Sequence, residues 1–211
     1  GTSAKTYFPT TTRLNMPRVD YLNNSKGSLI LEPQRTNLLN YSSDFSQSYY
    51  TKSQVTITSN DTTSPDGTQN SDKVVETTND SEHFFYRTGI TTLGTISIYA
   101  KADNSGRLFQ IRRDAGTGTN SWAWFNLDNG TVVSQDAGVA SIESLSNNWY
   151  RCIFTPTNAS GTVVFSISNG ATTRSVSYEG NGTSGVYIYG AMLEAGSYPT
   201  TLINTSGSSV T

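Results

Sequence analysis

Apolar and polar residues alternate at every second position along most of the chain, the period of a strand with one buried face. Short runs of this kind lie at 28–31, 55–59, 73–77, 83–88, 95–102, 107–113, 121–127, 131–134, 149–155, 162–168, 174–178 and 186–193. Turn formers stand between them: Ser64-Pro65-Asp66-Gly67, Asp103-Asn104-Ser105-Gly106, Gly116-Thr117-Gly118, Asp128-Asn129-Gly130 and Gly180-Asn181-Gly182. Only 139–145 could hold a helical turn. The pattern predicts an all-β chain folded as an antiparallel β-sandwich. Pro9, Pro17 and the loop signal Asn23-Asn24-Ser25-Lys26-Gly27 predict an irregular start. The expected organisation is a lead-in over 1–27, a sandwich over 28–203 and a tail over 204–211.

One run departs from the ordinary pattern. In 121–130, S-W-A-W-F-N-L-D-N-G, Ala123, Phe125 and Leu127 form a normal core face. The opposite face carries Trp122, Trp124 and Asn126, with the two indoles about 7 Å apart along the strand. Two readings stand. Both tryptophans belong to a core, or they form a flat aromatic platform on which the apolar face of a sugar ring stacks. The second is favoured because Phe125 and Leu127 already supply a core face.

Composition narrows the function. With 211 residues the chain suits one large β-domain. Only 14% of its residues are charged and its net charge is −2, which leaves no nucleic-acid footprint. No run approaches the length of a membrane span. The richness in Ser, Thr, Asn, Gly and Tyr suits an extracellular or virion-surface protein. Gly1-Thr2-Ser3 opens the chain with neither a basic start nor an apolar signal core, so a targeting segment would lie outside it. Cys152, the single cysteine, excludes an intrachain disulfide and a cysteine metal cluster, and alternation with Tyr150 and Phe154 predicts its burial. His83 is the single histidine, and its neighbour Glu82 points away in a strand, so no catalytic triad or histidine zinc site is expected. A non-enzyme requiring no cofactor is the expectation. A structural calcium ion is the one metal considered, with Glu32, Asp44 or Asp72 as oxygen ligands.

Residues 28–46, S-L-I-L-E-P-Q-R-T-N-L-L-N-Y-S-S-D-F-S, resemble the opening of a module found in phage tail-fibre proteins and some bacterial polysaccharide-degrading enzymes. Pro17-Arg18-Val19-Asp20-Tyr21 is similar to its lead-in. Ser64-Pro65-Asp66-Gly67-Thr68, Asp72-Lys73, Ser97-Ile98-Tyr99-Ala100-Lys101 and Trp149-Tyr150-Arg151 match along the way, and residues 190–200 are similar to the closing strand. Met192 departs from the glutamine usual there. The resemblance spans roughly 17–203 and implies a jelly roll of the galactose-binding-like, carbohydrate-binding-module type. It also implies a ligand groove on one concave sheet face, binding glycans without catalysis. The Gln-X-His motif of jelly-roll alginate lyases is absent.

Given that fold, alternation turns Tyr99 and Lys101 outward from 95–102, and Gln110 and Arg112 outward from 107–113. If these strands share the tryptophans' sheet, Trp122, Trp124, Tyr99, Lys101, Gln110, Arg112 and Asn126 lie on one face. They would suit a polysaccharide or cell-surface glycan, including an acidic one, because arginine binds carboxylate or sulfate bidentately. His83-Phe84-Phe85-Tyr86-Arg87 and Tyr49-Tyr50 are further candidates for groove walls, with Phe84 and Tyr86 on one face and Phe85, His83 and Arg87 on the other, while Trp149 reads as framework. The alternative is a structural or receptor-binding fibre domain whose exposed aromatics form an assembly interface, within a trimer rather than as a monomer.

Overall fold

The computed structural model describes residues 18–20, 28–30, 32–114, 120–157, 161–170 and 173–211. The irregular reading of 1–17 and 21–27, and the turn Gly116-Thr117-Gly118, fall outside them. The strands are β1 (Arg18–Asp20), β2 (Ser28–Ile30), β3 (Thr51–Ser53), β4 (Val55–Thr63), β5 (Gln69–Glu76), β6 (Asp80–Ser81), β7 (His83–Arg87) and β8 (Thr95–Ala102). There follow β9 (Leu108–Asp114), β10 (Ser121–Asn126), β11 (Thr131–Asp136), β12 (Gly138–Ser144), β13 (Tyr150–Pro156), β14 (Thr162–Ser168), β15 (Tyr178–Glu179) and β16 (Gly185–Glu194).

Two six-stranded antiparallel sheets pack face to face, so the chain is an all-β sandwich. Sheet I runs β11-β10-β9-β14-β7-β3 and sheet II runs β12-β13-β8-β16-β5-β4. Alternation fills the space between them: Phe85, Phe109, Ile111, Ala123, Phe125 and Phe165 from sheet I meet Ile96, Ile98, Cys152, Phe154 and Ile188 from sheet II. Cys152 is buried, and that burial pushes its thiol pKa up. Among the described residues no helix is long and apolar enough to cross a membrane.

Several elements differ from the sequence reading, among them the short strands β3 and β6, which fall where no strand is expected. The segment expected to hold a helical turn at 139–145 is edge strand β12, because Ala140 and Ile142 turn inward with a period of two. The exposed Val139 blurs that alternation. The expected strand at 174–178 shortens to β15, and the residues before it cross the outside of sheet I. Arg18–Asp20, expected to be irregular, pairs with β2, since neither Pro9 nor Pro17 lies within the paired residues.

A second apolar cluster lies on the outside of sheet II. Tyr99, Trp149, Tyr189 and Met192 are covered there by Leu202 and Ile203 of the C-terminal segment. Asn37 fastens this cover: its amide nitrogen donates to the carbonyls of Ala191 (3.0 Å) and Ile203 (2.9 Å). Its oxygen accepts from the N–H groups of Leu39 and Leu193. The Asn37 N–H donates to Val210 O at 2.9 Å, so the residues after β2 lie against the segment around Val210. In β16, Gly190 adopts φ 61°, where a Cβ would come within 2.9 Å of the Tyr99 ring. The resulting bulge lets both Tyr189 and Met192 face this cluster.

Candidate functional site

The outer face of sheet I is ordered by register. One cross-strand row reads Asp136, Trp122, Arg112, Val164, Tyr86, Thr51. The next reads Ser134, Trp124, Gln110, Ser166, Phe84, Ser53. Gln110, Arg112, Trp122, Trp124 and Asn126 therefore do share a face, as alternation required. Tyr99 and Lys101 do not join them. Both lie on β8, in the other sheet, because β8 pairs with β13 and β16 rather than with β9. Tyr99 is buried in the second apolar cluster, and Lys101 sits beside Tyr187 on the outside of sheet II.

The flat platform of two tryptophans also needs correction. Residues 173–175 form a strap over Trp124 and Gln110 of the second row and Arg112 of the first, and Trp124 is only 1% exposed. The Trp124 indole N–H donates to Thr173 O at 2.7 Å. Gln110 Nε2 donates to Arg174 O at 2.9 Å, and Arg112 Nη1 to the same carbonyl at 3.0 Å. Three side chains expected to bind a sugar thus hold the chain's own backbone. Asn126 is similarly engaged, its Oδ1 accepting from the N–H groups of Asp128 and Asn129 in the turn after β10.

Arg112 is also neutralised in place. It pairs with Glu82, and its Nε lies 3.1 Å from Asp114 Oδ2, whose oxygen also meets Arg174 at 3.0 Å. At 3% side-chain exposure this guanidinium is not open to a carboxylate or sulfate. Between the exposed row ends Asp136 and Thr51, the large side chains left open on the face are aromatic. Trp122 is half-buried at one side of its row, and Tyr86 is half-buried three strands away, about 14 Å across a sheet of ordinary spacing. Phe84 lies next to Tyr86, ring centroids 5.7 Å apart, with Arg112 stacked 5.7 Å from the Phe84 centroid. Sequence reading singles out the segment His83–Arg87 but leaves open which of its two faces is outward. Phe85 enters the core and His83 is buried on the same side, which puts Phe84 and Tyr86 outside.

The residues considered for catalysis or metal binding are engaged in other contacts. His83 is fully buried, with Nδ1 2.7 Å from Gln54 O and Nε2 3.2 Å from Tyr178 O. Among the described residues no three His, Cys, Asp or Glu side chains gather as a metal site. Of the calcium ligands considered, Glu32 accepts from Thr201, Asp44 from Ser46 and Gln47, and Asp72 from the N–H groups of Phe45 and Asn60. They form no common oxygen cage. No protein-family model matches the chain, and comparison with curated proteins finds no match.

Proposed function

We propose that this protein is a non-catalytic carbohydrate-binding module whose site is the outer face of sheet I. The observation that carries the reading is the single row with half-buried Trp122 at one side and Tyr86 at the other. Aromatic faces held about 14 Å apart suit two or three consecutive sugar rings, whose apolar C–H faces stack while their hydroxyls stay in water. Because Arg112 is already paired with Glu82 and Asp114, the ligand needs no acidic group. Such a module acts outside a cell or on a virion, where polysaccharides and cell-surface glycans are met.

Affinity electrophoresis through gels carrying different polysaccharides, neutral and acidic, tests this. At least one neutral polysaccharide should retard the protein. Trp122→Ala and Tyr86→Ala should each weaken that binding about tenfold, the scale of one lost aromatic contact. Unchanged mobility in every gel, with a stable trimer in sedimentation that buries Trp122, would instead support an assembly interface of a fibre domain.

A further inference from the structure

A second groove lies on the opposite side of the molecule, across the edge of sheet II. On β12 the outward positions are Val139, Ser141 and Glu143; on β13 they include Ile153 and Thr155, in the register Val139 to Thr155 and Ser141 to Ile153. Tyr198 and Pro199 flank the groove, which is open to solvent along its length and holds about 410 Å³. That volume falls in the range of small-molecule sites. Two large apolar side chains are left in water along it, Val139 at 70% and Tyr198 at 51% exposure.

The groove is built rather than incidental. Arg35 stacks on the Tyr198 ring, its guanidinium carbon 5.4 Å from the centroid. The same guanidinium donates to Ala195 O and lies over Gly196, where any Cβ would approach it within 2.5 Å. Pro199 follows Tyr198 directly and restricts the tyrosine backbone to extended conformations. Thr155 Oγ1 bonds Thr95 Oγ1 at 2.8 Å and Ser197 O at 3.4 Å, which ties the Tyr198 segment to β13. The aromatic wall is therefore held in place before any ligand arrives.

We infer that this groove is a second saccharide site, taking a pyranose ring that carries no acidic group. Tyr198, Val139 and Ile153 offer an apolar surface to the C–H face of the ring, and Ser141 offers a hydroxyl at the rim. Glu143 is the charged side chain lining the groove. Its carboxylate accepts hydrogen bonds from neighbouring sugar hydroxyls and repels a uronate or sulfate. The inference rests on this groove's own geometry and not on the reading of sheet I.

Amide NMR spectra of the whole chain, titrated to millimolar concentration with methyl glucoside, galactoside, mannoside and N-acetylglucosaminide, and with glucuronate, test it. At least one neutral pyranoside should shift the amides of Val139, Ser141 and Tyr198, and glucuronate should not. Trp122→Ala should leave these shifts unchanged. Tyr198→Ala should weaken them about tenfold, and Tyr198→Phe should retain them. Silence of the groove amides with all four neutral sugars, a response to glucuronate, or full binding by folded Tyr198→Ala would overturn the proposal. Shifts confined to Trp122 and Tyr86 would do the same while leaving the sheet I site standing.

Discussion

Trp122 and Trp124 share a strand and a face, yet the strap at 173–175 gives them opposite roles. Trp124 is buried and its indole N–H is bonded, so Trp124→Ala removes packing and leaves Thr173 O without its donor. It should cost about 3–5 kcal/mol of stability. Trp122→Ala should melt close to the parent, and urea denaturation of the two variants compares them directly. Equal losses would mean that the strap does not cover Trp124 in solution. Carboxylates diverge in the same way. Burial raises Asp72 to about 6, against the lowering effect of the N–H groups of Phe45 and Asn60. Burial also acts on Asp66, but hydrogen bonds from Asn70, Thr68 and Ser64 outweigh it and hold that group at about 2. The folded state therefore takes up the Asp72 proton before the unfolded chain does. Stability from this group is fully present below the unfolded pKa of about 4 and is lost as pH rises through about 6. Melting temperature should rise as pH falls from about 7 to about 5, and Asp72→Asn should flatten that rise. A fall over this window, dependent on Asp72, would contradict the assignment.

At the level of elements, the motifs most legible in the sequence turn out to be turns and clasps. The Asn37 side chain joins the chain's early segment to β16 and the C-terminal cover through three hydrogen bonds, to Ala191, Leu193 and Ile203. Asp66 accepts from the Tyr189 hydroxyl at 2.8 Å, and Arg151 Nη2 donates to Thr200 O at 2.6 Å. Such residues fix where the chain turns and what it fastens to, which is why the fold can be read from them. Asn37→Ala should speed amide exchange at Thr205 and Gly207, whose N–H groups bond Ser42 and Asn40 beneath the clasp, more than at core position Ile111. Uniform acceleration would show that the cover opens only with the whole fold. Alternation also places Phe109, Ile111 and Phe125 correctly in the core. It does not say which sheet a strand joins, so by alternation alone Tyr99 and Lys101 fall on the wrong side of the molecule. Nor does it reveal the strap, because the bonds to Trp124 and Gln110 end on backbone carbonyls, which every residue carries, and the Arg174–Asp114 pair shows no pattern along the chain.

For the whole molecule, the two candidate surfaces lie on opposite sheets with the common core between them. The sheet I face presents Trp122, Tyr86 and Phe84; the sheet II edge presents Tyr198 and Val139. A polysaccharide long enough to reach both surfaces makes the second contact intramolecular, so binding to polymer should exceed binding to short fragments. Intrinsic tryptophan fluorescence reads the sheet I face directly. Trp124 and Trp149 are each 1% exposed, so Trp122 is the indole that an added glycan can reach. With a polysaccharide that retards the protein in a gel, the emission should shift and acrylamide quenching should fall. Both changes should vanish in Trp122→Phe. Retardation with unaltered emission and quenching, or changes that persist in Trp122→Phe, would mean that glycan does not bind at Trp122.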